Sequence, residues 1–114
     1  MANITYENMN RVLATLLPEL LYEPSWDWAM LEGPTVFYPE VLVPYLRHVL
    51  AHADATQDIL TKAFDFLEVL SQHEDADIRK IVALCVLDPL KSDPAIDQEA
   101  RRWMRPSTLG LARP

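Results

Sequence analysis

Residues 56–88 decide the fold: they run TQDILTKAFDFLEVLSQ (56–72), HED (73–75) and ADIRKIVALCVLD (76–88). In the first segment, apolar side chains recur every three or four residues, which is the spacing of one helix face. The residues on this face are Ile59, Ala63, Phe66, Leu67 and Leu70. The opposite side is polar, and there Lys62 can pair with Asp58 or Asp65. The pattern predicts an amphipathic helix over residues 56–72.

The segment 76–88 contains the apolar run Ile81–Leu87, which by pattern alone fits a buried strand or a helix. A helix is favoured because Asp75 is suited to cap its start. No other strand-like segment offers a pairing partner either. A helix that is apolar nearly all round belongs at the centre of the core.

Three further helices are predicted, over residues 6–17, 39–53 and 94–105. Pro18 should end the first of them, and Asp93 followed by Pro94 should begin the last. Residues 22–38 are expected to be irregular, because they contain Pro24, Gly33 and Pro34.

These elements predict an all-α fold of about five helices, either an antiparallel bundle or a short arrangement of stacked helix pairs. With 114 residues, half of them hydrophobic, the chain is long enough for one domain with its own core. We expect that domain to cover residues 1–105 and to be followed by a mobile tail at 106–114.

The single cysteine, Cys85, lies within the apolar run. Because it has no second cysteine to pair with, it cannot form an intramolecular disulfide, and this favours a reducing, cytoplasmic location. The side chain is expected to be a small buried hydrophobe. The first residues lack the basic and apolar regions of a signal peptide, and no apolar stretch reaches the length of a membrane span.

Charge is distributed unevenly along the chain, whose net charge is −7. Residues 1–77 contain thirteen acids and three Lys or Arg, whereas residues 78–114 contain four acids and seven Lys or Arg. This balance argues against binding to nucleic acid or to an anionic membrane. It favours a basic protein partner, although solubility alone could also explain it.

Motifs for catalysis or metal binding are weak. His48 and His52 have the spacing of two zinc ligands, but Val49 stands where a zinc protease needs Glu, and no third ligand is evident. The acidic cluster at 73–77 lacks the pattern of a calcium loop. No phosphate-binding glycine loop or nucleophile elbow is present. We therefore expect no enzyme, no cofactor and no metal.

Several motifs carry a family resemblance: LPEL at 17–20, FDFLEVL at 64–70, and IVALCVL at 81–87 followed by DPL at 88–90. Over residues 12–90 the chain resembles small all-helical immunity proteins of bacterial polymorphic toxin and contact-dependent growth inhibition systems. Relatives are expected to have an acid, any residue and Leu after the fourth helix; here Pro89 stands between the acid and Leu90.

The resemblance implies a cytoplasmic immunity protein that binds a cognate toxin and covers or distorts its active site. Such toxins are often nucleases with basic clefts, where an acidic inhibitor can stand in for phosphate. The alternative is a non-catalytic helical adaptor or scaffold module, which could be a homodimer.

The resemblance carries over no binding residues, so the candidates are acids and aromatics outside the predicted core faces. They form three competing groups: Trp26, Asp27, Trp28 and Glu32 in the loop; Asp58, Asp65 and Glu68 on the polar side of the third helix; and Glu74, Asp75 and Asp77 in the turn.

Overall fold

Seven helices and no strand make up the fold in the computed structural model, which describes residues 3–112. Two of the helices, α3 and α5, each contain a central π-helical segment. The bounds are α1 Met9–Leu16; α2 Trp26–Glu32; α3 Pro34–Phe37, Tyr38–Leu42 (π) and Val43–Ala51; α4 Gln57–Ser71; α5 Ala76–Lys80, Ile81–Leu87 (π) and Asp88–Leu90; α6 Pro94–Trp103; and α7 Pro106–Ala112. Short 3-10 turns lie at Pro18–Tyr22 and Ala53–Ala55.

The predicted all-α class is confirmed, and the helix count is seven rather than about five. The prediction that residues 22–38 are irregular is wrong, because α2 and the start of α3 lie there. Gly33 separates the two helices with a φ of 100°, a conformation that a residue with a Cβ rarely adopts. Pro34 then occupies the first turn of α3, where its missing N–H has no cost.

The segment 106–112 differs from the predicted mobile tail. It forms α7, in which Thr108 and Ala112 are fully buried. The guanidinium of Arg101 donates a hydrogen bond of 3.1 Å to the carbonyl oxygen of Ala112 and so satisfies the end of the helix. Residues 113–114, also part of that prediction, lie outside the described residues.

Prolines inside helices account for the two π-helical segments. A proline has no N–H and its ring clashes with the carbonyl four residues earlier, so it normally breaks a helix. Here Tyr38–Leu42 contains Pro39 and precedes Pro44, and Ile81–Leu87 precedes Pro89. The wider π turn accommodates each proline, and α3 and α5 continue past it. The two π segments pack against each other.

The core surrounds α5, which contacts α3, α4, α6 and α7. Tyr38, Phe37 and Phe64 are among its largest fully buried side chains. The Tyr38 hydroxyl donates a hydrogen bond of 2.8 Å to the Met9 carbonyl oxygen, which satisfies the buried phenol and ties α3 to α1. The expectation that α5 is buried nearly all round is wrong at Leu84, which is 60% exposed.

The molecule has principal extents of 32 × 30 × 26 Å and a radius of gyration of 12.8 Å. These near-equal extents describe a helical globule rather than an elongated stack of helix pairs. None of the described helices is long and apolar enough to cross a membrane.

Candidate protein-binding surfaces

The first candidate surface is the outer side of α2 with the preceding 3-10 turn. We call it the α2 face: Leu21, Tyr22, Asp27, Trp28, Leu31 and Glu32, all of which are exposed. Tyr22 and Leu31 are 89% and 87% exposed, and Trp28 is 49% exposed. Trp28 and Leu31 lie three residues apart and therefore on the same side of the helix.

The inner side of α2 is fixed by the core, because Ala29 is fully buried and Trp26 and Met30 pack against the core. The four residues predicted for this segment therefore lie in two different environments. Asp27, Trp28 and Glu32 lie on the α2 face, whereas Trp26 is half-buried and helps to anchor the helix.

The segment that contains the α2 face carries only acidic charges, although Arg11 of α1 lines the same cleft as Leu31. Between Arg11 and Arg47 the sequence contains five acids and no Lys or Arg. None of these acids forms a salt bridge within residues 3–112. Glu19 accepts a hydrogen bond of 3.2 Å from Tyr45, and burial together with the Glu19 charge raises the pKa of Tyr45 to about 12. The other acids have no cation to neutralise them in the described part of the chain.

The second predicted group, on α4, is not one exposed acidic face. Asp58 is exposed in the first turn of the helix. Asp65 forms a salt bridge of 2.7 Å with Arg105, the residue before α7. Both of these side chains are about half exposed (48% and 59%), so the pair contributes little stability, of order 0–1 kcal/mol.

The prediction that Glu68 faces solvent is wrong, because only 8% of it is exposed. Its carboxylate accepts hydrogen bonds from the backbone N–H groups of Ser107 (3.1 Å) and Thr108 (2.9 Å), and from the Thr108 hydroxyl (2.9 Å). Gln72 donates a fourth, of 3.0 Å. Burial alone would raise the pKa of Glu68, but the bonds from Thr108 and Ser107 outweigh it and hold the pKa below its usual value. Glu68 therefore caps α7 and has no free acceptor side to present to a partner.

The third group lies at the turn between α4 and α5. Glu74 and Asp77 are exposed, and Asp75 is the N-cap of α5, as predicted: its Oδ1 accepts a hydrogen bond of 2.9 Å from the Asp77 N–H. His73 Nδ1 accepts one of 3.0 Å from the Asp75 N–H. Its Nε2 therefore carries the proton and donates to the Ile4 carbonyl oxygen at 2.7 Å. The turn is thus fixed against the segment before α1, on a different element from the α2 face.

A further surface, which the sequence did not indicate, is a groove between α1 and α4. We call it the α1–α4 groove; its volume is about 900 Å³. Its lining is mostly apolar, from Ile4, Val12, Leu16, Phe66 and Val69. Arg11 stands on the α1 wall and Lys62 on the α4 wall.

The predicted pairing of Lys62 with Asp58 or Asp65 does not form. Asp65 pairs with Arg105 instead, so neither Lys62 nor Arg11 has a salt bridge within the described residues. The groove therefore carries two uncompensated positive charges in an acidic protein.

His48 and His52 lie side by side, with ring centroids 5.0 Å apart. His52 Nδ1 is 3.0 Å from the carbonyl oxygen of His48, so that nitrogen is used within the helix. Within residues 3–112, no cluster of three or more His, Cys, Asp or Glu could hold a metal ion. Cys85 is half-buried, and burial raises the pKa of its thiol.

Sequence reasoning missed Leu21, Tyr22 and Leu31 because it selected acids and Trp in a segment assumed to be a loop. A helical assignment over Trp26–Glu32 would have placed Leu31 beside Trp28. It missed the α1–α4 groove because the walls come from helices more than forty residues apart in the sequence.

Comparison with protein-family models gives a match over residues 9–113, which is nearly the whole chain. No curated protein and no solved structure matches the chain. The chain belongs to the DUF7674 family, which is described as a domain of unknown function.

Proposed function

We propose that this protein is an immunity protein that binds a cognate bacterial toxin in the cytosol and neutralises it. The observation that carries the proposal is the α2 face. Of the six large hydrophobic side chains that are exposed in residues 3–112, four lie between Leu21 and Leu31. Apolar side chains concentrated in this way are typical of a surface that a partner covers.

The chemistry of the α2 face supports a basic partner. Tyr22 and Trp28 are of the residue types that dominate binding energy when a partner buries them. Asp27 and Glu32 lie in the same helix as Trp28 and form no salt bridge within the described residues, so they can steer a positively charged surface into contact. A nuclease cleft that normally holds phosphate has this charge, and carboxylates can occupy it.

The experiment that tests the function is co-expression with a toxin domain encoded by a neighbouring gene. We expect the protein to copurify with the toxin and to restore growth. If it does neither, the immunity function is wrong, whatever surface makes the contact.

The contact itself is tested by Trp28→Ala and Leu31→Arg. Truncating Trp28 should weaken binding by about 2 kcal/mol, or roughly 30-fold, and Leu31→Arg should abolish growth rescue. Leu84→Arg is the matched control, since Leu84 is also an exposed leucine but lies on α5. Normal rescue by Leu31→Arg would exclude the α2 face as the contact with the toxin. The acidic turn (Glu74, Asp75 and Asp77) would then be the next candidate for that contact.

The acidic turn is tested by Glu74→Lys combined with Asp77→Lys. Both residues are exposed, and the variant leaves the N-cap side chain of Asp75 in place. We expect toxin binding to change less than in Leu31→Arg. A larger loss of toxin binding than in Leu31→Arg would show that the turn, rather than the α2 face, is the main contact with the toxin.

A second candidate function is the helical adaptor. It is favoured by the α1–α4 groove, because a chain with an acidic face and a groove of opposite charge can hold two partners at once. Sedimentation of this protein mixed with a basic partner for the acidic face and an acidic partner for the groove would separate the two candidates. An adaptor forms a ternary complex, whereas an inhibitor forms only a binary complex with the toxin.

A further inference from the structure

The α1–α4 groove has the dimensions of a helix-binding site. Its α4 wall is formed by Lys62, Asp65, Phe66 and Val69, which have the spacing of one helix face. From Lys62 to Val69 this wall is roughly 10 Å long, at about 1.5 Å per residue. The groove can therefore receive about two turns of a third helix.

The groove is also apolar where a helix would be inserted. Phe66 is 7% exposed and forms part of the core, whereas Val69 is 43% exposed. Both walls are helices, and no strand edge is available in the described residues for an extended peptide to join. A third helix, with side chains at three- and four-residue spacing packed between the two walls, would bury this surface.

Charge defines the occupant. Arg11 and Lys62 both line the groove, one on each wall, and the one acid in the lining, Asp65, forms a salt bridge of 2.7 Å with Arg105. A helix with basic flanks would be repelled, whereas one with carboxylates beside its apolar side gains two ion pairs.

We propose that the α1–α4 groove binds an amphipathic helix of a partner protein, whose apolar side fills the groove and whose flanking carboxylates pair with Arg11 and Lys62. This site is distinct from the α2 face and would take a partner of opposite charge. It does not depend on the immunity function.

The test uses two synthetic 15-residue fluorescent peptides with the same leucine stripe at positions i, i+3, i+4 and i+7. One has Glu at the flanking positions and the other has Lys. Fluorescence anisotropy should show that the Glu peptide binds the purified protein at least tenfold more tightly. Equal binding of the two peptides, or binding of neither, overturns the proposal.

Two variants locate the site. Val69→Glu places a charge in the groove at a part-exposed position and should weaken the Glu peptide at least tenfold, whereas the control Leu84→Glu should not. Lys62→Glu changes only an exposed side chain and should reduce the preference for Glu over Lys flanks. If the Glu peptide binds Val69→Glu as tightly as wild type, it binds elsewhere and the proposal fails.

Other occupants would show themselves in the same samples. If the protein alone sediments as a dimer that Val69→Glu dissociates, the groove holds a second copy and the proposal is overturned. Binding of dodecanoate to the wild-type protein but not to Val69→Glu, without binding of either peptide, would assign the groove to a small amphiphile and overturn the proposal. Toxin rescue should be unaffected by Val69→Glu, and peptide binding by Leu31→Arg, so failure of one proposal is distinguishable from failure of the other.

Discussion

Glu68 joins two helices that are far apart in the sequence, since the N–H of Thr108 lies 40 positions away. Its carboxylate satisfies backbone N–H groups at the start of α7, which that helix cannot satisfy itself. A helical wheel of residues 56–72 places Glu68 on the polar side, and that placement ignores α7 covering it. Nothing near position 68 signals this role, because the signal is contributed by Ser107 and Thr108.

Acidification should expose the contribution of Glu68. Its folded pKa is lowered, so its stabilisation is complete above the unfolded pKa of about 4.3 and is lost as the pH falls through the folded pKa. We expect the free energy of unfolding, measured with urea between pH 7 and pH 3, to decrease once the pH is below about 4.5. Glu68→Gln should cost about 1–3 kcal/mol at pH 7 and make this fall shallower. Asp58→Asn, at an exposed acid of the same helix, is the control; equal effects of the two substitutions would contradict the capping role.

The helices differ in how well their sequences predict them. The amphipathic helix predicted over residues 56–72 corresponds to Gln57–Ser71, and the predicted cap at Asp93 accepts hydrogen bonds from Ala95 and Ile96. α2 was missed because a seven-residue helix is too short to show a clear apolar period. Gly33 and Pro34 were taken as loop signals, whereas they mark the end of one helix and the start of the next.

The junction between α2 and α3 can be tested at Gly33. Gly33→Ala should lower the free energy of unfolding by about 1–3 kcal/mol, because its φ of 100° is strained for any residue with a Cβ. Gly110→Ala is the matched control: it lies in α7, its added Cβ would meet nothing within 4 Å, and it should be neutral or stabilising by up to about 1 kcal/mol. Thermal or chemical denaturation measures both. Equal stability of the two variants would show that the junction tolerates a side chain.

For the molecule as a whole, the sequence was sufficient for the all-α class but not for its surfaces. Apolar periodicity in the long helices specifies the class locally, and the acids of the α2 face were identified from one short segment. Predicting the α1–α4 groove requires the relative positions of two helices. Predicting its charge also requires the position of Arg105, because the salt bridge between Arg105 and Asp65 leaves Lys62 without one. Relations of this kind arise only when the chain is folded.

The uneven charge predicts how association with a basic toxin should respond to salt. With a net charge of −7 and an acidic α2 face, the association rate should fall at least about tenfold between 10 mM and 150 mM salt, as measured by stopped-flow fluorescence. Asp27→Lys combined with Glu32→Lys should slow association and reduce its salt dependence. An unchanged rate in this variant would mean that steering comes from other acids.

The paired π-helical segments have a consequence for how this family can change during evolution. A π turn closes over one residue more than an α turn, so each segment is equivalent to a single residue inserted within a helix. Relatives with one residue fewer at 38–42 or 81–87 should keep the fold with an uninterrupted α-helix there, and should lack the proline that follows at position 44 or 89. In aligned members of the family, one-residue gaps inside helices should therefore fall at these two places, while other changes in length fall in the turns.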